Sequence, residues 1–147
     1  MKEWTVDTCV LAKCSETDSN DCIECLLFLG LVLKSGKLCL DHEGEIEIEY
    51  RPYIKKNPLL RRWWYMMIGQ VGHISHWSNK VPNRHKNRLL NRLGFHDDDL
   101  KFVGVAARSV DKIIVSGFDS DYCPEVCQYL KKGLGITVIN PNSASEM

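Results

Sequence analysis

Four short apolar runs, separated by longer helix-like segments, are the feature that most constrains the fold of this chain. The runs lie at residues 3–7, 37–41, 112–116 and 135–139. Strands that alternate with helices are typical of a mostly parallel sheet, because each parallel connection needs a long crossover. The sequence therefore predicts an α/β sandwich with a mostly parallel sheet.

Six further segments have the apolar spacing or the capping residues of helices. They lie at residues 18–34, about 45–54, 58–78, 82–94, 98–110 and 122–132. The second segment is ambiguous, because Glu45–Glu49 alternates with the period of a strand. Ile46, Tyr50 and Ile54 have the spacing of a helix instead, and we favour a helix that carries Glu49.

Length and composition predict a single domain at residues 1–140, followed by a polar C-terminal tail at 141–147. Hydrophobic residues make up 44% of the chain, which excludes a largely disordered protein. No apolar run has transmembrane length, and the first residues do not have the pattern of a signal peptide. We therefore expect a cytoplasmic protein with no membrane partner, whose seven cysteines are mostly free thiols.

The zero net charge conceals a strong segregation of charge. Residues 51–96 contain no Asp or Glu but ten Lys and Arg residues. A basic surface without acidic partners favours contact with the phosphates of a nucleic acid. The residues predicted to make these contacts are Arg61, Arg62, Arg84, Lys86, Arg88 and Arg92.

Residues 97–122 join two acidic clusters through a helix and a strand. Asp97–Asp99 lie at the start of the helix, and Asp97 or Asp98 can cap it. Asp119 and Asp121 follow the strand at 112–116, whose Ile/Val run predicts burial on both faces. Carboxylates held together repel each other unless a cation lies between them, and Mg²⁺ binds to a few carboxylates with water in its other positions.

Two more aspartates, Asp7 and Asp41, end the first two predicted strands. Parallel strands end at one edge of the sheet, and this is where α/β proteins bind ligands. Asp7 has an equally good alternative as the cap of a following helix. The alternative for Glu49 is a solvated surface carboxylate.

Two stretches of the chain resemble the PIN-domain nucleases. Val6-Asp7-Thr8-Cys9-Val10-Leu11 is similar to the opening motif of that family. Asp99-Leu100-Lys101-Phe102, with Ala106 and the run from Ile113 to Tyr122, is similar to its closing half. The resemblance covers residues 6–11 and 98–122 clearly and the residues between them loosely. It implies a three-layer α/β/α sandwich with a central, mostly parallel sheet of four or five strands.

The resemblance also implies a catalytic site in which four acidic residues surround one or two Mg²⁺ or Mn²⁺ ions. The catalytic positions map to Asp7, Glu49, Asp99 and Asp119, with Asp98 as a rival to Asp99. Asp7, Asp99, Asp119 and Asp121 are the implied metal ligands. The family hydroxyl two residues before the fourth acid is replaced here by Gly117, with Ser116 one residue further back.

The function that this resemblance implies is metal-dependent hydrolysis of RNA by an endoribonuclease, or less often of DNA. Many such domains are toxins that a small antitoxin protein silences, and many form homodimers. The alternative is a PIN-like domain that binds RNA or a protein without cutting. A phosphatase-like α/β domain is less favoured, because the chain has no Gly-rich phosphate loop.

Overall fold

A five-stranded, all-parallel sheet forms the centre of the protein in the computed structural model, which describes residues 1–16, 19–117 and 121–147. The strands are β1 (Lys2–Val6), β2 (Gly36–Asp41), β3 (Ile74–Trp77), β4 (Ile113–Val115) and β5 (Thr137–Ile139). Their order across the sheet is β3-β2-β1-β4-β5. The predicted three-layer α/β/α sandwich with a parallel sheet is confirmed.

Helices connect the strands and cover the sheet. They are α1 (Thr8–Lys13), α2 (Asn20–Ser35), α3 (Glu45–Lys56), α4 (Pro58–Gly69), α5 (Asn83–Asn87), α6 (Leu100–Arg108), α7 (Pro124–Leu134) and α8 (Pro141–Ser145). A π-helical turn at Arg88–Arg92 extends α5, and a 3-10 turn at Asp97–Asp99 precedes α6. Among the described residues, no helix combines the length and the apolar character needed to cross a bilayer.

The alternation of side chains along β4 places apolar residues on both faces of the sheet. Ile113 and Val115 belong to the larger core cluster, which also contains side chains of α1–α4. Ile114 belongs to the second cluster, with side chains of α6 and α7. The prediction that this strand is buried on both faces is therefore confirmed.

The predicted helix from residue 58 to about Ser78 is wrong over its second half. The helix ends at Gly69, and Ile74–Trp77 form the edge strand β3, which pairs in parallel with β2. Between them Gly72 has a φ of 85°, a conformation that glycine adopts without the strain of a side chain. The helix therefore ends at Gly69 and the chain turns at Gly72, although the apolar spacing in the sequence continues beyond them.

The pattern of buried side chains shows the structure of two other segments. The ambiguous segment after β2 is the helix α3, and its Ile46, Tyr50 and Ile54 are buried at helical spacing. Within the polar C-terminal tail, α8 forms a short helix that packs against α2 and buries Ala144.

The strand order places a topological switch point between β1 and β4. From β1 the chain moves first outwards through β2 and β3, and then crosses to β4 on the other side. In open α/β sheets, ligands bind in the crevice beyond the carboxyl ends of the strands at this point. Asp7 directly follows β1 and Ser116 directly follows β4, so both residues lie at this crevice.

Gly104 in the middle of α6 allows the chain after β3 to lie directly on that helix. A Cβ atom on Gly104 would be 2.1 Å from the carbonyl oxygen of Asn79. Backbone cannot yield to a new methyl group as a flexible side chain can. The contact therefore fixes the position of Asn79, whose side chain bonds to Asp41 and Glu45.

We expect Gly104→Ala to lower the free energy of unfolding by about 3 kcal/mol, because the methyl group would overlap backbone atoms. The measurement is chemical denaturation followed by circular dichroism. Gly133→Ala is the matched control: it lies in α7, and a Cβ there would have no neighbour closer than 3.5 Å. The control should be neutral or gain up to about 1 kcal/mol from helix propensity. Equal stability of both variants would contradict the close contact at Asn79.

Candidate functional site

The carboxylate of Asp7 is buried at the switch point and held by two neighbours. Asp7 is 2% exposed. Its Oδ2 accepts hydrogen bonds from the Ser116 hydroxyl at 3.0 Å and from the Cys9 thiol at 3.2 Å. Although Asp7 occupies the N-cap position of α1, its side chain makes no capping hydrogen bond. The capping alternative is therefore wrong for this side chain, which is directed to the ends of β1 and β4.

Glu49 joins three elements beside Asp7. Its Oε1 accepts a hydrogen bond of 2.6 Å from the hydroxyl of Thr8, the residue after Asp7. Its Oε2 forms an ion pair with Lys101 Nζ, and the Lys101 side chain is only 11% exposed. Glu49 is thus half-buried and bonded on both oxygens, unlike a solvated surface carboxylate.

The acidic residues before α6 lie close to the Glu49–Lys101 pair, because Lys101 also donates to the carbonyl oxygen of Asp98. Asp98 itself is exposed, whereas Asp99 is half-buried. Asp121 Oδ2 accepts a hydrogen bond of 3.2 Å from the backbone N–H of His96, immediately before the 3-10 turn. Asp121, from the second acidic cluster of the sequence, therefore lies beside the first cluster at the start of α6. Asp119 lies outside the described residues.

Asp41 has a structural role, although it ends β2 at the same edge of the sheet. Its two oxygens accept from the backbone N–H groups of Glu45 and Ile46, at 2.9 and 3.0 Å. Asn79 Nδ2 donates to the same carboxylate at 2.7 Å. Asp41 thus satisfies the first N–H groups of α3, which have no partner within the helix.

An open groove of about 700 Å³ lies between α3 and the start of α6. Its described lining combines four carboxylates with three lysines: Glu45, Glu49, Asp97, Asp98, Lys80, Lys86 and Lys101. The groove is therefore of mixed charge, and Asp7 connects to it through Thr8 and Glu49.

Of the six basic residues predicted to contact nucleic acid, Lys86 lines this groove. Arg84 lies beside the ring of His85, 3.3 Å from its Nε2, and Arg88 lies over the ring of Tyr129. Arg92 ends the π-helical turn. Arg61 and Arg62 are exposed on α4, which does not belong to the groove lining described above.

Lys101 is the site residue that the sequence pattern did not reveal. It stands within the motif Asp99-Leu100-Lys101-Phe102 and has the spacing of an ordinary surface position of a helix. Only the packing of α6 against α3 brings its ammonium group to Glu49. The sequence pattern did single out Ser116, as a hydroxyl one residue before Gly117. The structure shows that this hydroxyl donates to Asp7.

The carboxylate oxygens of this site are the type of ligand atom that a hard divalent cation such as Mg²⁺ prefers. Within the described ranges, no group of three His, Cys, Asp or Glu side chains is close enough together to hold a metal ion.

No family model, curated protein or solved structure matches this chain. The resemblance to PIN-domain nucleases stays a prediction.

We expect Asp41→Asn to lower the free energy of unfolding by about 1–3 kcal/mol, because one acceptor oxygen becomes a donor that faces other donors. Denaturant titration measures the loss. Asp97→Asn is the control, since Asp97 is an exposed carboxylate, and it should change stability by less than about 0.5 kcal/mol. An Asp41→Asn variant as stable as the Asp97→Asn control would contradict the capping role of Asp41.

Proposed function

We propose that this protein is a divalent-metal-dependent nuclease, most simply an endoribonuclease that hydrolyses the phosphodiester bonds of RNA. The observation that carries the proposal is the buried carboxylate of Asp7 at the switch point of the sheet. It is held by Ser116 and linked through Thr8 to Glu49. A carboxylate held in place at the crevice where open α/β sheets bind their ligands is a candidate functional group.

Asp7, Asp99 and Asp119 would hold Mg²⁺ or Mn²⁺ in this proposal, with Asp121 beside them. A bound ion of this kind lowers the pKa of a coordinated water and offsets the charge that develops on a phosphate. The side chains of the protein would orient the carboxylates. Ser116 fixes the rotamer of Asp7, and Thr8 fixes the carboxylate of Glu49 beside it.

The groove supports a nucleic-acid substrate. Lys80 and Lys86 come from the segment 51–96, which contains no acidic residue, and both line the groove beside the carboxylates. Phosphate contacts of this kind position a strand without reading its sequence.

All seven cysteines lie in the described ranges and none is in a disulfide, which supports a reducing compartment such as the cytoplasm.

One observation favours a second candidate, a domain that binds RNA or a protein partner, such as a small antitoxin, without cutting. Both oxygens of Glu49 are already bonded, one to Thr8 and one to Lys101. A lysine that balances Glu49 decreases the need for a metal ion at this carboxylate. The two candidates differ in one measurable property, which is metal-dependent cleavage.

We expect the purified protein to cleave single-stranded RNA in the presence of Mn²⁺ or Mg²⁺ and to stop when EDTA is added. Asp7→Asn should lower the rate by about 100-fold or more, and Glu49→Gln by about 10–100-fold. Glu47→Gln is the matched control, since Glu47 lies on the same helix in an exposed pair with Arg51. Gel analysis of labelled RNA and DNA, with Mn²⁺ binding measured by electron paramagnetic resonance, separates loss of cleavage from loss of metal.

RNA binding without EDTA-sensitive cleavage would favour the binding domain and exclude the nuclease. Turnover of a small phosphomonoester but not of RNA would instead favour a phosphatase.

We expect Lys86→Ala to weaken RNA binding to a similar extent for all sequences, because a phosphate contact is lost. The slope of log affinity against log salt should become less steep by about 0.7 for a single strand. Lys132→Ala is the control, since Lys132 is exposed on α7 and does not line the groove. Fluorescence anisotropy over a series of salt concentrations measures both slopes. An equal effect of the two substitutions would contradict binding in the groove.

A further inference from the structure

The ammonium group of Lys101 is held at the wall of the groove by two acceptors. Lys101 Nζ forms an ion pair with Glu49 Oε2 and also donates to the carbonyl oxygen of Asp98. The side chain of Lys101 is 11% exposed and that of Glu49 is 32% exposed. Because little water reaches the cation, salt and solvent screen this pair less than a pair on the surface. The lysine therefore compensates the charge of Glu49 in the folded protein.

This ion pair is a tertiary contact and not a local pair on the surface of a helix. In the described part of the chain, the ion pairs that other Lys or Arg residues form are Lys13–Glu16 and Arg51–Glu47. Each of those joins residues three or four positions apart in the sequence. The pair of Lys101 and Glu49 instead joins α6 to α3, and its carboxylate also accepts a hydrogen bond from Thr8, next to Asp7. The pair therefore connects the groove to the buried carboxylate.

The bonds of Glu49 oppose the binding of a divalent ion beside it. Oε1 accepts a hydrogen bond from Thr8 at 2.6 Å, and Oε2 is paired with Lys101. An ion bound to either oxygen would lie next to the ammonium group, and like charges at such a separation repel each other. Because Lys101 also donates to Asp98, it cannot turn towards water without losing both contacts. The lysine and a divalent ion therefore compete for Glu49.

The charge of the groove depends on this lysine. Among the described lining residues, four carboxylates are accompanied by three lysines, which leaves one net negative charge. Without the ammonium group of Lys101, two net negative charges would remain, and Glu49 would lose its cation. Carboxylates that share a small space attract a cation. Lys101 thus does for Glu49 what a bound ion does in a site built of carboxylates alone.

We propose that Lys101 is the resident cation of Glu49 and limits the site to at most one divalent ion, held by the aspartates around Asp7. This role of Lys101 rests on the proposed metal-dependent function and deepens it, because sites that cleave phosphodiesters hold either one ion or two. In a two-ion site both ions stabilise the reacting phosphate group. Here the ammonium group supplies the second positive charge. Lys101 is a positioning residue, since its contact in the site is to Glu49.

The first test counts the Mn²⁺ ions that the full chain binds, by isothermal titration calorimetry and electron paramagnetic resonance. The wild-type protein should bind at most one ion per chain. Lys101→Met removes the charge but keeps an unbranched side chain, and it should bind one ion more than the wild type. Lys101→Arg retains the charge and should bind as many ions as the wild type. Addition of Glu49→Gln to Lys101→Met should abolish the additional binding, because its carboxylate is gone.

Lys80→Met is the matched control, since Lys80 lines the same groove but is exposed. It should bind as many ions as the wild type, with an affinity within about twofold. A wild-type protein that binds two ions, or a Lys101→Met variant that binds no more than the control, would overturn the role of Lys101.

The ion count also separates this role from the nuclease proposal. An ion bound by Lys101→Met but not by the wild type would support the role of Lys101 and contradict the metal-dependent nuclease. One ion bound by the wild type and lost in Asp7→Asn, without any cleavage of RNA, would contradict the nuclease alone. No Mn²⁺ bound by the wild type or by Lys101→Met would overturn both proposals.

The second test follows thermal unfolding by circular dichroism, which does not depend on activity. In EDTA, Lys101→Met should have a lower Tm than the wild type, because Glu49 loses its partner. Saturating Mn²⁺ should raise the Tm of Lys101→Met by more degrees than that of the wild type, because each ion that binds only the folded state stabilises it. An equal shift in the two proteins would overturn the proposal. Lys101→Gln, which keeps a hydrogen-bond donor without the charge, takes the place of Lys101→Met if that variant does not fold.

Discussion

The buried carboxylate of Asp7 is the constraint on which the candidate site depends. Burying a carboxylate is costly unless it is hydrogen-bonded, and here the hydroxyl of Ser116, after β4, and the thiol of Cys9, in α1, provide the bonds. The Ser116 bond joins the residue after β1 to the residue after β4, where the strand order reverses. The ends of the two strands therefore set the position of the carboxylate.

The helices around this point are held by polar contacts to the same strand ends. Tyr50 donates its hydroxyl to the carbonyl oxygen of Val6, which fixes α3 against the end of β1. Burial, followed by the nearby charge of Asp7, raises the pKa of Tyr50 well above its usual value, so the hydroxyl keeps its proton. Lys101 then ties the start of α6 to Glu49. The end of β1 thus positions α3, and the Glu49–Lys101 pair joins α3 to α6.

The charged groove and the exposed apolar side chains of α2 and α4 lie in separate parts of the molecule. The groove between α3 and α6 is polar and carries both signs of charge, as expected of a surface that binds phosphates beside carboxylates. On α2 and α4, the apolar side chains of Ile23, Leu27 and Leu59 are exposed and lie outside this groove.

The sequence by itself determined the α/β class, the parallel sheet and the placement of Asp7 at a strand end, since these follow from local periodicity and from the chain order of strands and helices. It could not determine the extent of α4, because β3 is short and continues the apolar pattern of the helix before it. Nor could it separate Asp41, which caps α3, from Asp7, which does not cap α1, because both end a strand. The tertiary structure decided those roles, and it alone brought Lys101 to Glu49. Contacts between residues distant in the chain depend on how the helices pack, and no local spacing encodes that packing.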